Sequence, residues 1–270
     1  MDSHGPPAKA DAPPMEKHFI LITVSITLLL FVGLLGMIEL GRRLGRKRAT
    51  SDPHAGGEGA AEGAVYALFG LLLAFSFSGA AERFDEKRVL IVNEANAIGT
   101  AYLRIDMMPA EAQPALREGF RRYLDSRLLA YRKLPDVEAA RVEFARSLTL
   151  QQELWKLAVE TIQKHGGLPQ LLLPPLNEMF DIAATRAARN YTHPPNAIFA
   201  MLVALALVSA LLVGFRMAGD DSRSLVHTVV YAGVLALVIY LILDMEYPRL
   251  GFIRTDAADR ALVEVRESMK

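Results

Sequence analysis

The chain has 270 residues, of which 52% are hydrophobic and 22% charged, and its mean hydropathy is +0.22. This combination is typical of a membrane protein with a water-facing part. Lysine plus arginine and aspartate plus glutamate number 30 each, so no overall positive field supports nucleic-acid binding. The absence of cysteine excludes disulfide scaffolds, cysteine-ligated metal sites and thiol catalysis.

Four stretches are long and apolar enough to cross a bilayer, because about 20 helical residues span about 30 Å. We assign the spans to residues 19–40, 63–81, 194–216 and 224–244. The basic cluster lies after the first span and no small-residue cleavage pattern follows it, so we predict that this span is not a cleavable signal peptide. With four spans, both termini lie on the same side of the membrane.

The segments outside the spans differ in composition. Residues 1–18 are predicted to form a polar N-terminal tail, and residues 41–62 a loop that is first basic and then rich in glycine and alanine. Residues 217–223 are predicted to form a short loop. Residues 245–270 are predicted to form a C-terminal tail containing a helix from about residue 257.

The one sizeable water-facing region has a helical pattern. The second span is predicted to continue as a long helix to about residue 108, because Ile91 and Ile98 belong to an apolar series at helical spacing. Residues 109–193 contain three further amphipathic helices, the last of which is predicted to follow Pro174-Pro175. The predicted fold class is all-α: four transmembrane helices, with a helical soluble domain inserted between the second and third spans.

Three apolar residues of the second span lie on one helical face. Ala67, Leu71 and Phe75 are four residues apart, so their side chains point the same way. In a ring of several copies they would form apolar constrictions that gate ion flow by dewetting. The alternative is that this face packs against neighbouring helices or lipid.

Polar residues cluster where the second span ends. The Ser76 hydroxyl can contact an ion or bond back to a carbonyl four residues earlier. Arg83, Lys87 and Arg88 can form a ring that attracts anions, with Arg83 and Glu86 at the pore exit, or these charges can serve as interfacial anchors. The sequence leaves both alternatives open.

Further along the same helix stand Asn93, Glu94 and Asn96, among valine, isoleucine and alanine. A buried polar group without a partner costs about 1–3 kcal/mol. We therefore expect a hydrogen-bond network between helices, with Arg104 as the charge partner of Glu94. Removing the Glu94 charge is then expected to destabilise assembly.

No pattern typical of an enzyme or a metal site is present. The six histidines are scattered, and the sequence contains neither a Gly-x-Ser-x-Gly motif nor a zinc-binding His pair. Asp244 and Glu246 at the end of the fourth span are followed by Arg249, and this low density of acidic residues does not favour calcium. We predict no catalytic residue, no metal and no cofactor.

The distribution of basic residues gives a divided prediction of sidedness. Arg42, Arg43, Arg46, Lys47 and Arg48 in the first loop place that loop in the cytoplasm if taken alone. The basic residues near the spans, summed over each side, instead favour a cytoplasmic helical domain. We predict a multi-pass protein of the bacterial plasma membrane with the helical domain and both termini cytoplasmic.

Two segments resemble a known family. Residues 68–104 resemble the bestrophin-like domain-of-unknown-function family of bacterial membrane proteins and, more distantly, the bestrophin channels. Phe75 is followed eight residues later by the run Arg-Phe-Asp-Glu-Lys-Arg, which is similar to the Arg-aromatic-aromatic-Glu-x-Arg run of bestrophins. The turn at Glu246, Pro248 and Gly251 is similar to their Glu-x-Pro-Phe-Gly turn, with one extra residue before the glycine.

This resemblance implies a function. Bestrophins are pentameric ion channels whose second span lines a narrow apolar neck, which implies that Ala67, Leu71 and Phe75 form the neck here. The expected partners are then the lipid bilayer, further copies of the same chain in a homo-oligomer, and inorganic ions. The alternative is a non-conducting membrane scaffold whose helical domain binds a protein partner.

Overall fold

The computed structural model describes residues 14–51, 59–134, 136–165, 169–190, 192–219, 225–249 and 251–269. Throughout these residues the regular elements are helices and none is a strand, which confirms the all-α prediction for the described chain. In chain order the α-helices are α1 (Pro14–Ser51), α2 (Gly59–Leu103), α3 (Gln113–Lys133), α4 (Val137–His165), α5 (Pro169–Arg189), α6 (Asn196–Arg216), α7 (Leu225–Glu246) and α8 (Asp256–Ser268).

Four of these helices, α1, α2, α6 and α7, are long and apolar enough to cross a membrane, as predicted. Only 11% to 28% of the residues in their most apolar windows are buried inside the chain, so most of these side chains face outward. Leu29 of α1 and Leu225 of α7 are each more than two-thirds exposed. Such a surface suits hydrocarbon and not water.

Helix α2 extends far beyond the length of a span. Its 45 residues rise about 68 Å at 1.5 Å per residue, more than twice the thickness of a hydrocarbon core. Residues 63–81 form its only uncharged stretch of span length, and charged residues occur from Glu82 to Glu94. The second half of α2 therefore extends out of the apolar zone, and α3, α4 and α5 follow it in the chain.

The N-terminal helices are longer than the sequence predicted. Helix α1 begins at Pro14, inside the predicted tail, and continues through residues 41–51, which were predicted as loop. Helix α2 begins at Gly59. Residues 1–13 of the predicted tail and 52–58 of the predicted loop lie outside the described residues.

The helical conformation of residues 41–51 has a packing cause. A Cβ atom on Gly41 would collide with the carbonyl oxygen of Leu211, and one on Gly45 would overlap the carbonyl oxygen of Phe215. Glycines four residues apart allow two helix backbones to approach closely, and here they seat α1 on α6. The two glycines in the basic part of the predicted loop are therefore helix-packing residues.

Helix α5 also begins earlier than predicted, because Pro174 and Pro175 lie inside it. Proline has no N–H group, so Pro175 leaves the carbonyl oxygen of Leu171 without its helical donor. The Arg104 guanidinium donates to that oxygen at 3.2 Å. A side chain from another segment thus replaces a missing backbone bond, and the helix passes through the proline pair.

The buried apolar residues form two separate clusters. The first core joins α1, α2, α6 and α7 and contains Leu34, Phe69 and Leu202. The second core joins the later part of α2 with α3, α4, α5 and α8, and Phe120 and Leu262 are fully buried in it. Helix α8, which is part of the predicted C-terminal tail, therefore packs into the second core. Helix α2 contributes residues to both cores.

Candidate functional site

The predicted neck residues lie on an open face of α2. Leu71 is 53% exposed, Phe75 is 67% exposed, and Ala67 is exposed as well. Phe69 and Ala80 belong to the opposite face, which packs into the first core. Within the described chain, the Ala67–Leu71–Phe75 face is covered by no other element.

This open face continues along the whole helix. Its residues recur every three or four positions, the spacing that coiled-coil helices use to contact partners. We call this line of residues the α2 seam. It consists of Ala64, Ala67, Leu68, Leu71, Ala74, Phe75, Ser78, Glu82, Asp85, Val89, Val92, Asn93, Asn96, Thr100 and Leu103, all of them exposed. The seam begins apolar, becomes acidic at Glu82 and Asp85, and ends in a mixed polar and apolar stretch.

The exit residues form contacts within the chain. The Nε atom of Arg83 donates to Oε1 of Glu246 at 2.8 Å, and a second guanidinium nitrogen also contacts this oxygen. Lys87 donates to the Glu246 backbone carbonyl at 2.9 Å. The structure thus joins residues 163 positions apart, and Arg83 and Lys87 point to the end of α7 and not to the seam.

His193 completes this contact, which we call the α2–α7 junction (Arg83, Lys87, His193, Glu246 and Tyr247). Its imidazole stacks on the Tyr247 ring, with centroids 4.6 Å apart. Its Nδ1 atom lies 3.7 Å from Oε2 of Glu246, too far for a hydrogen bond. The side chain of Glu246 is fully buried, so the junction holds a carboxylate whose second oxygen has no hydrogen-bond partner among the described residues.

The other predicted exit residues lie at the edge of the junction. Glu86 is 3.5 Å from Arg189 of α5, and both side chains are partly exposed. Arg88 pairs with Asp85 one turn earlier, at 3.2 Å. Ser76 lies off the seam, in a small cleft that Arg83 also lines.

A tight turn follows α7 and uses the predicted turn residues. Both carboxylate oxygens of Asp244 accept backbone N–H bonds, from Phe252 at 3.0 Å and from Ile253 at 2.7 Å. A Cβ atom on Gly251 would collide with the same carboxylate, so only glycine fits there. Pro248 lies between these residues and lines a cavity described below. Nowhere in the described chain do three His, Asp or Glu side chains converge as metal ligands.

Glu94 is fully buried, and its partners are two arginines. Arg127 of α3 donates to one carboxylate oxygen and Arg186 of α5 to the other, each at 2.6 Å. Arg186 also donates to Asp259 of α8 at 3.1 Å. Arg249 pairs with Asp259 at 2.8 Å. These bonds tie α2 to α3, α5 and α8 in what we call the Glu94 cluster.

Tyr131 lies at the centre of the Glu94 cluster. The Arg186 guanidinium lies 3.7 Å from the centroid of its ring, Arg249 lies 4.6 Å from it, and Arg127 donates to its hydroxyl at 2.7 Å. Cations stacked on an aromatic face are stabilised by the ring quadrupole. Burial raises the pKa of Tyr131, so the phenol is neutral at physiological pH.

Glu94 lies more than ten residues past the uncharged part of α2, and its two arginine partners keep its carboxylate charged. Burial by itself raises the pKa of Glu94. The charges and hydrogen bonds of Arg127 and Arg186 lower this pKa by a larger amount, so the net pKa lies below its ordinary value. The carboxylate is therefore ionised at neutral pH. A buried ion pair of this kind requires both signs to be present.

The prediction for this region needs three corrections. Asn93 and Asn96 are exposed on the seam and do not join the Glu94 cluster. Arg104 is not the partner of Glu94, because ten helical residues separate the two by about 15 Å, and its guanidinium contacts Leu171 instead. The spacing of Leu176, Met179 and Ala183 predicts that Arg186 lies off the apolar face of α5, but Arg186 is 3% exposed.

The sequence does contain a signal for the missed arginines. Arg127 follows Leu124 by three residues and precedes Tyr131 by four, on the buried face of α3. Arg186 similarly follows the buried Ala183 of α5. A charged residue within an apolar helical stripe indicates a buried counter-charge, but not which residue supplies it.

Comparison with known proteins gives one match. The sequence model of the family described as Bestrophin-like domain matches residues 17–259. No curated protein and no solved structure shows a significant match to the chain. The matched region contains the seam, the junction and the Glu94 cluster.

Proposed function

The chain belongs to the Bestrophin-like domain family, and on this premise we propose that it is a homo-oligomeric ion channel whose pore is lined by α2. The observation that carries this proposal is the α2 seam, a helix-long face that no element of the described protomer covers. Copies of the chain arranged around an axis would bring their seams together. A closed ring of about five chains, as the resemblance to bestrophins implies, is the proposed assembly.

The first half of the seam would form the neck of this pore. Rings of Ala67, Leu71 and Phe75 offer no polar atom to replace the water lost by an ion, so such a neck resists conduction until it widens or hydrates. Phe75 has the largest side chain of the three. It is therefore the residue that most narrows the proposed path.

The second core is proposed to be a water-facing domain inserted between the second and third spans. Its helices α3 and α4 lack a long uncharged stretch and contain many arginine and glutamate residues. We place this domain and both termini in the cytoplasm of a bacterium, with the four spans in its plasma membrane. The proposal assigns the chain no catalytic residue, cofactor or metal.

The non-conducting scaffold is the second candidate. The observation in its favour is that α4 exposes two large apolar side chains, Val142 at 66% and Leu148 at 59%. A protein partner that packs on α4 would remove them from water. A scaffold of this kind does not require several chains to be arranged around a common axis.

The particle mass separates the two candidates. The solubilised particle, corrected for bound detergent, is expected to contain about five chains of 29.7 kDa each. Light scattering coupled to size-exclusion chromatography measures this mass. A monomer or dimer that persists across detergents would leave the seam no axis to line and would favour the scaffold.

Replacing Phe75 by alanine is expected to raise ion flux into liposomes several-fold, because a wider and shorter apolar constriction is easier to hydrate. The matched control is Leu29→Ala on α1, which is 73% exposed but lies off the seam. Flux should be recorded with both a cation and an anion, since the seam contains Glu82 and Asp85 beyond the neck. Equal flux in parent, Phe75→Ala and Leu29→Ala would remove Phe75 from the pore.

A further inference from the structure

A cavity of about 210 Å³ lies beside the α2–α7 junction, between α2, α4, the end of α5 and the turn after α7. We call it the junction cavity. It is separate from the seam, because its α2 residues are Lys87, Leu90 and Ile91, none of which belongs to the seam. Apolar side chains form much of its wall, including Leu90, Leu134 and Phe144.

The cavity lining contains more cationic than acidic side chains. Five cations line it, and Glu246 is the carboxylate among its described lining residues. The cations are Lys87, Arg141, Arg186, Arg189 and Arg249. Arg186 and Arg249 are held by Glu94 and Asp259, Arg189 lies 3.5 Å from Glu86, and Arg141, which is 79% exposed, lies 4.0 Å from Glu138. These acidic partners lie outside the lining, so the groups that border the cavity are mainly positive and favour a negatively charged occupant.

Three buried polar atoms of the cavity lining have no hydrogen-bond partner within the described chain. They are Oγ1 of Thr255, Nδ1 of His193 and Oε2 of Glu246, and Thr255 and Glu246 are 2% and 1% exposed. Each such atom costs about 1–3 kcal/mol if it stays unmatched. The Thr255 hydroxyl can donate to an anionic head group, whereas Oε2 of Glu246, which only accepts, would take a hydrogen bond from water that enters with the head group.

The position of the cavity relative to the membrane indicates where its occupant comes from. Lys87 follows the last uncharged residue of the second span by six positions, which is about 9 Å along the helix. Tyr247 and Pro248 directly follow α7. The cavity thus lies at the depth of lipid head groups, where basic pockets between helices bind acidic lipids.

We propose that the junction cavity binds an amphiphilic anion, a molecule with a carboxylate or phosphate head and one hydrocarbon chain. The head pairs with Lys87 and the neighbouring arginines, and Thr255 donates its hydroxyl proton to it. The chain packs against Ile91, Leu134 and Phe144. This site is independent of conduction and requires only that the junction lie at the membrane surface.

Native mass spectrometry of the delipidated full-length protein in a non-ionic detergent tests this proposal. Octanoate and octyl phosphate are the probes, and they distinguish a carboxylate head from a phosphate head. One saturable adduct per chain is expected with at least one of them. Octanol and acetate, which lack the charge and the hydrocarbon chain respectively, are each expected to bind at least tenfold more weakly.

Two variants locate the binding. Ala140→Leu fills the cavity from α4, where Ala140 is 1% exposed, and Lys87→Met removes the charge contributed by α2. Each is expected to weaken binding at least tenfold while the particle mass and the helical circular dichroism stay unchanged. The control Arg122→Gln removes a cation from an exposed pair with Glu153 and should leave binding unchanged.

Three results would overturn the proposal. Binding that survives both Ala140→Leu and Lys87→Met would place the ligand elsewhere. Octanol binding as tightly as octanoate would refute the role of the charge. Acetate binding as tightly as octanoate would show a site for a small soluble anion only. Because none of these readouts involves ion flux, they are separate from a failure of the channel proposal.

Discussion

Replacing Glu94 by glutamine is expected to lower the free energy of unfolding by about 3–5 kcal/mol, because it leaves the buried Arg127 and Arg186 without a counter-charge. Both arginines are 3% exposed, so water cannot compensate them. The loss corresponds to at least a hundredfold change in the equilibrium between folded and unfolded chains. In the thermal unfolding of the detergent-solubilised protein, the midpoint should fall by about 10 °C.

The matched control is Glu153→Gln. Glu153 also pairs with an arginine, Arg122 at 3.3 Å, but both side chains are about half exposed. An exposed pair contributes about 0–1 kcal/mol, so this variant should unfold close to the parent. Similar midpoints for Glu94→Gln and Glu153→Gln would contradict the buried charge assignment.

Acidification provides a second readout of the same cluster. Because the pKa of Glu94 is lowered on folding, its stabilising effect is complete above its unfolded pKa and is lost as the pH falls through its folded pKa. The difference in midpoint between the parent and Glu94→Gln should therefore be largest near neutral pH and should shrink in acid. The bonds of Glu94 join helices of one chain, so its loss is expected to act on the fold of the chain, and the effect on assembly stays a prediction.

Replacing Gly214 by alanine is expected to destabilise the packing of the spans by about 3 kcal/mol, at the upper end for an overpacked core. A Cβ atom at this position of α6 would collide with the backbone of Ile38 on α1. No side-chain rotation can relieve a clash with a carbonyl oxygen, so the two helices must separate. Separation would also weaken the neighbouring contact of Gly41 with Leu211.

Gly36→Ala is the matched control for this prediction. Gly36 lies on α1, and a Cβ atom there would meet nothing within 4 Å. Since alanine favours helix by up to about 1 kcal/mol over glycine, this variant should be neutral or slightly more stable. Thermal unfolding of both variants in the same detergent makes the comparison. An unchanged midpoint for Gly214→Ala would show that α1 and α6 are not packed as closely as described.

Local patterns in the sequence were sufficient to predict that the chain is an all-α membrane protein. Uncharged stretches of span length predict membrane helices because the bilayer thickness sets the length of helix needed. The repeat of Ile91 and Ile98 predicts that α2 continues past the membrane, because helical periodicity is a property of neighbouring residues. The run from Phe75 to Arg88 carries the family resemblance. These conclusions need no knowledge of which segments touch.

What the tertiary structure decided depends on contacts between distant residues. The sequence shows that Glu94 needs a partner, but only the packing of α3 and α5 on α2 selects Arg127 and Arg186 over Arg104. The sequence predicts that Gly41 and Gly45 lie in a loop, and only the contact of α6 with these glycines shows why they are helical. The sequence also places Ala67, Leu71 and Phe75 on one face, but whether that face is covered depends on where the other helices pack. Patterns among residues close in sequence determine which helices form. Which residues are buried, which charges pair and which helix faces stay uncovered is decided only when helices far apart in sequence pack together.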